Sequence, residues 1–373
     1  MKILLSGGHL TPALAFIDYT HRHQTGDTLV FIGRAYSQEK LQQKSQEMKE
    51  VTARGVEFEL LGAPRLQYLG PLEILKLGWR SFSSIFAAIG LFRKHQPDVF
   101  LSFGGYMAVP LAIAAFMLRI PIVTHEQTQT AGFANTLISR LATKIAVAYP
   151  AAQSLFPKHK TVVTGNLLRP ALISPADRSP SWIGSVPLPL LYVTGGNQGS
   201  EILNTTIMQA LPQLTRSWFV IHQCGNPTLA RNYLQELEAA RSKLSVRAQK
   251  MFVIREWISD IELGWIYKHA DCVIARAGAN TVHELTALAI PSILVPLPFS
   301  HRDEQTINAK IIADQNGAIL LPQKELNPHS LLINLEKVQK AGKSMRHALK
   351  GMHIEKNGDE LLYQVVKQVV PIT

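Results

Sequence analysis

Only two cysteines, Cys224 and Cys272, occur in the 373 residues. So few exclude a disulfide framework and point to a reducing compartment. Neither falls in a metal-ligand spacing, and the 13 histidines form no H-E-x-x-H or clustered pattern, so no metal and no cofactor are expected. Charge is sparse: 17% of residues are Asp, Glu, Lys or Arg against 46% hydrophobic, which excludes a disordered chain. Long apolar runs are missing too. The longest, 107–118, contains Pro110 and stops at Arg119, short of the roughly 20 residues a spanning helix needs. The apolar run between Lys2 and Ser6 is too short for a signal-peptide core. The expectation is a soluble protein, with rest on a membrane surface left open.

The charge that is present is unbalanced. The net charge is +11. Residues 1–165 carry 17 Lys and Arg against 10 Asp and Glu, a net +7; the remainder carries 21 against 17, a net +4. A basic excess suits nucleic acid, an anionic membrane surface or a phosphorylated substrate. No Lys/Arg block, zinc-finger spacing or RNA-binding motif is present, so nucleic acid ranks last.

The chain repeats one rhythm: a short apolar or β-branched run, then glycine, then a helical stretch. Strand candidates are 2–6, 27–33, 97–103, 119–125, 144–149 and 161–164. The rhythm breaks over 169–189, where Pro170, Pro175, Pro180, Pro187 and Pro189 with several serines read as a linker. It resumes with candidates at 190–194, 218–223, 251–254, 271–275, 291–296 and 318–321. Strands alternating with helices imply parallel βαβ units. The expected architecture is two Rossmann-like α/β domains facing a cleft, where ligands bind beyond the carboxyl ends of the strands. The boundaries expected are 1–165 and 166–373.

Four strand-to-helix junctions are rich in glycine: Ser6-Gly7-Gly8-His9, Phe103-Gly104-Gly105-Tyr106, Thr194 to Gly199, and Ala277-Gly278-Ala279-Asn280. Glycine lets backbone approach a ligand closely, and a helix N-terminus offers unpaired N–H groups to an anion. Any one junction is also compatible with an ordinary βα turn; four together favour a phosphorylated ligand. None matches G-x-G-x-x-G or G-x-x-x-x-G-K-[ST], which argues against a dinucleotide fold or a P-loop. In the segment Arg276 to Glu284, Gly278 to Thr281 open a helix. Glu284, about one turn in, is placed either to accept ribose hydroxyls or to favour the helix dipole. His9 is a candidate general base, kept neutral by a helix N-terminus, or a capping residue. His125, Glu126, Gln127 and Thr128 end a strand with four polar side chains, costly to bury without purpose, or else form a solvated loop. Gln305 and Asn308 share a helix face.

Residues 71–94 mix Leu72, Ile74, Leu75, Leu77, Trp79, Phe82, Ile85 and Phe86 with Lys76, Arg80, Arg93 and Lys94. This composition suits a membrane-surface patch at Leu75, Lys76, Trp79, Arg80 and Phe82, or a core helix with snorkelling cations. The +7 excess lies in the same half.

Together these motifs resemble the MurG family, the peptidoglycan UDP-N-acetylglucosamine:lipid I N-acetylglucosaminyltransferases of glycosyltransferase family 28, with the GT-B fold. The family pattern G-G-H-x-x-P-A-L-A is matched from Gly7 to Ala15, and G-G-Y with a following proline by Gly104, Gly105, Tyr106 and Pro110. H-E-Q-N-x-x-x-G-x-x-N corresponds to His125–Thr128, Gly132 and Asn135, and G-N-P-V-R to Gly165, Asn166 and Arg169. G-G-S-Q-G with a following L-N corresponds to Gly195–Gly199, Leu203 and Asn204. R-[SA]-G-A-x-T-[VI]-x-E is Arg276–Glu284, and Q-x-x-N-A is Gln305–Ala309.

The resemblance implies an inverting transfer of N-acetylglucosamine from UDP-N-acetylglucosamine to the C4 hydroxyl of the muramoyl sugar of lipid I, at the cytoplasmic face of the plasma membrane and without a metal. It implies His9 as base and Glu284 on the ribose, with Ala279, Asn280, Thr281, Val282 and His283 as the nucleotide loop. Ile258 would lie at uracil and Gln305 at the sugar. Arg169 and Asn197 would face diphosphate or sugar, with Gly7, Gly8 and Thr128 also on the donor. Tyr106, His125, Glu126 and Gln127 would lie on the acceptor side. Three positions depart from the pattern: the first glycine loop is about three residues short, Thr128 replaces asparagine, and Asn197 replaces serine. A related transferase with another lipid-linked acceptor, and a nucleotide-sugar-binding member with impaired catalysis, are the alternatives.

Overall fold

The computed structural model describes residues 1–34, 36–38, 43–61, 71–196, 199–227, 231–300, 303–352 and 354–371, with the side chains of 36–38, 43–44 and 71–82 excluded. The chain divides into two compact units, Met1–Arg169 with Glu355–Thr373, and Pro170–Ile354.

In the first unit the chain runs β1 Lys2–Ser6, α1 Leu10–Arg22, β2 Thr28–Gly33, a small antiparallel pair β3 Tyr36–Gln38 and β4 Gln43–Lys44, then α2 Gln46–Ala53 and β5 Glu57–Leu60. It continues with α3 Pro71–His95, β6 Val99–Ser102, α4 Ala108–Met117, β7 Ile122–Glu126, α5 Phe133–Leu141, β8 Lys144–Val147 and β9 Thr161–Val163. Seven strands form a parallel sheet in the order β5-β2-β1-β6-β7-β8-β9. A parallel sheet is covered on both faces, so its central strands read as unbroken apolar runs rather than alternating ones. Leu4 of β1 lies beside Val30 and Phe100. Ile3 and Leu5 point into one buried layer with Phe16 and Phe31, and Leu4 into the other with Phe92 and Phe100. β5 has no counterpart among the strand expectations: its Glu57 and Glu59 look like solvated-face residues because it is an edge strand.

The second unit carries α6 Pro170–Ile173, β10 Leu190–Thr194, α7 Glu201–Ser217, β11 Phe219–Gln223, α8 Tyr233–Ser242, α9 Val246–Gln249, β12 Phe252–Arg255, α10 Asp260–His269 and β13 Ala270–Ala275. Then follow α11 Ala279–Ala287, β14 Ser292–Leu294, α12 Glu304–Ala313, β15 Ala318–Leu320 and α13 Pro328–Lys350. Its six-stranded parallel sheet has the order β12-β11-β10-β13-β14-β15, again with one apolar layer per face. The proline-rich stretch 169–189 is not a loose tether. Leu172 and Ile183 are core members, Trp182 donates to Glu262 at 2.6 Å, and the Arg255 guanidinium lies 4.5 Å over the Trp182 ring. Gly264 of α10 meets α6 so closely that a Cβ there would lie 2.0 Å from the Ala171 carbonyl oxygen.

The expected second domain, 166–373, loses its last segment. The final helix, α14 Gly358–Val369, returns to the first unit. Its apolar face buries Leu362, Tyr363, Val365 and Val366 in the layer built around Phe16 and Tyr19. Asp359 pairs with Arg22 at 3.2 Å, and the Tyr363 hydroxyl donates to Asp27 at 2.8 Å. Burying that stripe outweighs sequence continuity.

Candidate active site

In each sheet the first strand is flanked on both sides by strands reached through crossovers in opposite directions. That reversal opens a crevice at the carboxyl edge, where ligands of α/β sheets bind. In the first unit it lies between β1 and β6. The glycine junctions after these two strands meet there, backbone against backbone. The Gly8 N–H donates to the Gly104 carbonyl at 2.9 Å. A Cβ on Gly8 would lie 2.4 Å from the Gly105 Cα, and the reverse holds equally. Gly104 and Gly105 have φ of +73° and +82°, which a side chain would disfavour.

His9 closes the first loop and caps α1 without a side-chain bond to the helix. Its imidazole pKa lies below 6.5, because surrounding protein disfavours the charged ring; the Glu126 carboxylate pulls the other way. His9 keeps an exposed outer surface, which limits the size of that effect.

The polar run at the end of β7 is fully buried. Glu126 is a clip: one carboxylate oxygen accepts from the Thr128 N–H at 3.0 Å and the Thr128 hydroxyl at 2.8 Å, and the other from Gly132 and Asn135, both at 2.9 Å. The Thr128 hydroxyl also lies against the Thr130 carbonyl, so it faces inward rather than toward a ligand. His125 bonds the Gly165 carbonyl at 3.1 Å, and burial pushes its pKa to about 4, so it is neutral near pH 7. Both amide atoms of Gln127, 1% exposed, have no hydrogen-bond partner among the described residues; neither do Ser6 Oγ, His125 Nδ1 and Thr130 Oγ1. Unpaired buried polar atoms are costly, and a group of them marks a place for a polar ligand or water. Tyr106 is half-buried against the apolar layer of α4, and Arg169 is half-buried at the end of this unit.

The second unit holds a cavity of about 880 Å³ at the β10/β13 reversal. Thr194, Gly195, Gly196, Gly199 and Ser200 line it from the β10 junction, and Ala275, Arg276, Gly278 and Thr281 from the β13 junction. Two helices begin here, α7 after Ser200 and α11 after Gly278, and neither cap residue makes a side-chain bond to its helix. The cap side chains thus leave the first N–H groups of both helices unsatisfied by themselves, and such helix starts are where anions bind. Gln305 lines the cavity while its side-chain oxygen accepts from the Leu297 N–H at 2.9 Å. Asn308 is buried and donates to the Ala277 carbonyl at 3.2 Å, so it anchors α12 to the α11 junction.

Of the expected nucleotide-loop residues, Thr281 lines this cavity. Ala279, Val282, His283 and Glu284 are buried, and Asn280 is half-buried. The Ile258 side chain is a core member at 2% exposure, which leaves its backbone for any ligand contact. Asn197 and the side chains of Leu75, Lys76, Trp79, Arg80 and Phe82 lie outside the described residues. Arg276, part of a motif but given no role above, is a cross-brace. It donates to the carbonyls of Val295 and Pro296 at 3.2 and 3.3 Å, and to Ser200 Oγ and Gln323 Oε1, both at 2.8 Å. Gln323 had no sequence signal; only the topology brings it to this edge.

Away from these crevices, Phe116, Met117, Ile120, Pro121 and Leu141 line a second cavity of about 710 Å³ with Arg119, His159 and Lys160. It sits at the amino edge of the first sheet, and Phe116 and Met117 are 57% and 61% exposed. Among the described residues, Glu57, Glu59 and His95 bring possible metal-ligand atoms within 4.8 Å of one another, but the Lys94 ammonium already sits on Glu59. Among the same residues, no helix is long and apolar enough to cross a membrane.

Comparison with known proteins agrees with this geometry. Residues 6–147 match the model of the glycosyltransferase family 28 N-terminal domain, and residues 190–362 that of its C-terminal domain. The chain is 31% identical over 371 residues to the UDP-N-acetylglucosamine–N-acetylmuramyl-(pentapeptide) pyrophosphoryl-undecaprenol N-acetylglucosamine transferase of Leuconostoc mesenteroides, covering 97% of both chains. It is 34% identical to the protein of the same description from Alkalilimnicola ehrlichii, covering 89% of this chain and 87% of that one. The crystal structure of Acinetobacter baumannii MurG is similar with a TM-score of 0.65 at 25% identity, covering 98% of this chain and 99% of that one.

Proposed function

The chain belongs to glycosyltransferase family 28 and has its GT-B fold of two parallel-sheet α/β domains, and on that footing we propose that it transfers N-acetylglucosamine from UDP-N-acetylglucosamine to the C4 hydroxyl of the muramoyl sugar of lipid I, yielding lipid II and UDP with inversion. The observation that carries this reading is the cavity at the β10/β13 reversal, where two uncapped helix N-termini meet between glycine junctions.

The reaction makes two demands. Negative charge grows on the departing UDP, and the N–H groups opening α7 and α11 are fixed in advance to stabilise it. Arg276 keeps the two junctions in register, and Arg169 adds a cation. The acceptor hydroxyl must lose a proton as it attacks. His9 takes it, because an imidazole held below 6.5 is neutral near pH 7. Gln305 contacts the donor sugar. Glu284 accepts from the ribose, and the Ile258 backbone meets uracil. In the first unit, Gln127, whose buried amide has no partner among the described residues, meets the polar part of the acceptor, together with the packed glycine loops and Tyr106.

The acceptor is a lipid, so the enzyme works at the cytoplasmic face of the plasma membrane. The helix α3, together with exposed Phe116 and Met117 beside Arg119, His159 and Lys160, suits an anionic bilayer. A second acceptor class stays in view, because the Thr128 hydroxyl is turned onto Glu126 instead of offering an amide. The test is UDP release from UDP-N-acetylglucosamine, with and without a lipid I analogue. Release that depends on the analogue is expected. Release only with a different polyprenyl or glycolipid acceptor would reassign the substrate, and no release with any acceptor would reject the transferase reading.

A further inference from the structure

A buried polar chain runs behind the donor cavity, and no demand of the reaction above uses it. His222, on β11, is 0% exposed, and its Nε2 lies 2.8 Å from Asn204 Oδ1 on α7. Asn204, 1% exposed, donates through Nδ2 to the Cys224 carbonyl at 2.9 Å. That carbonyl presses on the glycine junction: a Cβ on Gly199 would lie 2.1 Å from it, and Gly199 has φ of +73°. Gly199 in turn bonds the Gly196 carbonyl at 3.1 Å, and both line the cavity.

The bonding directions are fixed. A carbonyl only accepts, so the Asn204 NH₂ must face Cys224, and Oδ1 must then accept from a protonated His222 Nε2. The ring is neutral, since burial pushes its pKa to about 3. His222 Nδ1 has no partner among the described residues. A histidine serves poorly as an apolar filler beside Phe252. Its evident work is to hold Asn204 one way round.

We infer that His222 and Asn204 are positioning residues for the donor's diphosphate: they lock the Cys224 carbonyl against Gly199 and so hold the junction before α7 in its anion-binding shape. This rests on the donor-site reading above. Neither residue touches the substrate; both act on how rigidly the junction is held.

The test uses the full chain and three substitutions: Asn204→Asp, which keeps shape but loses the donor to Cys224; His222→Leu, which loses the bond to Oδ1; and His222→Gln, whose side-chain N–H can restore it. Two readouts are taken. Amide hydrogen exchange across 195–200 in the ligand-free protein should quicken in Asn204→Asp and His222→Leu and stay near wild type in His222→Gln. UDP titration should show about tenfold weaker binding in the first two, as expected for one lost buried hydrogen bond, and a change within about twofold in His222→Gln. Unchanged exchange, or UDP loss that follows thermal stability in all three variants alike, overturns the inference. Faster exchange together with a wild-type protein that does not bind UDP leaves the positioning role standing and removes the donor-site reading instead.

Discussion

At the scale of single residues, the polar run His125–Thr128 shows how one costly feature divides into separate tasks. Glu126 and Thr128 bind the loop to itself, His125 anchors to Gly165, and Gln127 is left unpaired among the described residues. His9 carries the chemistry in this account. His9→Ala should lower kcat by about 10²–10⁴-fold, the usual contribution of a general base, with donor KM nearly unchanged. The pH dependence has a definite sign. Because the folded pKa lies below 6.5, His9 stays neutral and able to accept a proton until the pH falls under that value. The acid limb of kcat/KM should therefore lie below pH 6.5 and vanish in the variant. A wild-type limb above pH 6.5, or full turnover by His9→Ala, would assign the base elsewhere. The residue signals legible in the sequence were the glycines and the polar runs, because both are expensive unless used. Arg276 was visible only as a motif letter; its four partners come from Ser200, Val295, Pro296 and Gln323, positions that only the folded sheet brings together.

At the scale of elements, strands buried on both faces could be read directly. Leu190–Thr194 and Lys2–Ser6 agree with expectation to the residue, since apart from the half-buried Lys2 at its start each is an unbroken buried run. Edge elements were not legible. β5 buries none of its four residues, with Glu57 and Leu60 exposed and Phe58 and Glu59 half-buried, a pattern that does not separate a strand edge from a solvated helix face. α14 was assigned to the wrong unit because an amphipathic stripe states that it must be covered and not by which partner. The glycine junctions act as paired elements. Gly8→Ala places a methyl 2.4 Å from the Gly105 Cα, with backbone on both sides and no side chain to give way. It should destabilise the first unit by about 1–3 kcal/mol, the range for overpacking, and abolish transfer. Urea unfolding monitored with a first-unit probe checks this. A midpoint equal to wild type would show that the two loops do not pack as described.

At the scale of the whole molecule, the charge asymmetry survives the revised boundary. Moving Arg169 and 355–373 into the first unit gives 20 Lys and Arg against 13 Asp and Glu, still +7, and leaves 18 against 14, or +4, in the second. The basic excess thus stays with the unit proposed to meet an anionic bilayer and a pyrophosphate lipid, and in the other unit the proposed anion site combines two helix N-termini with Arg276. The central claim is sugar transfer to a lipid-linked acceptor. It is tested most directly by incubating the full chain with UDP-N-acetylglucosamine labelled in its sugar and a lipid I analogue, then following the label between the aqueous and organic phases. The account predicts that label enters the organic phase as a disaccharide in equal amount to the UDP released. Label that stays in the aqueous phase, whether unchanged or as an isomerised sugar, would contradict it.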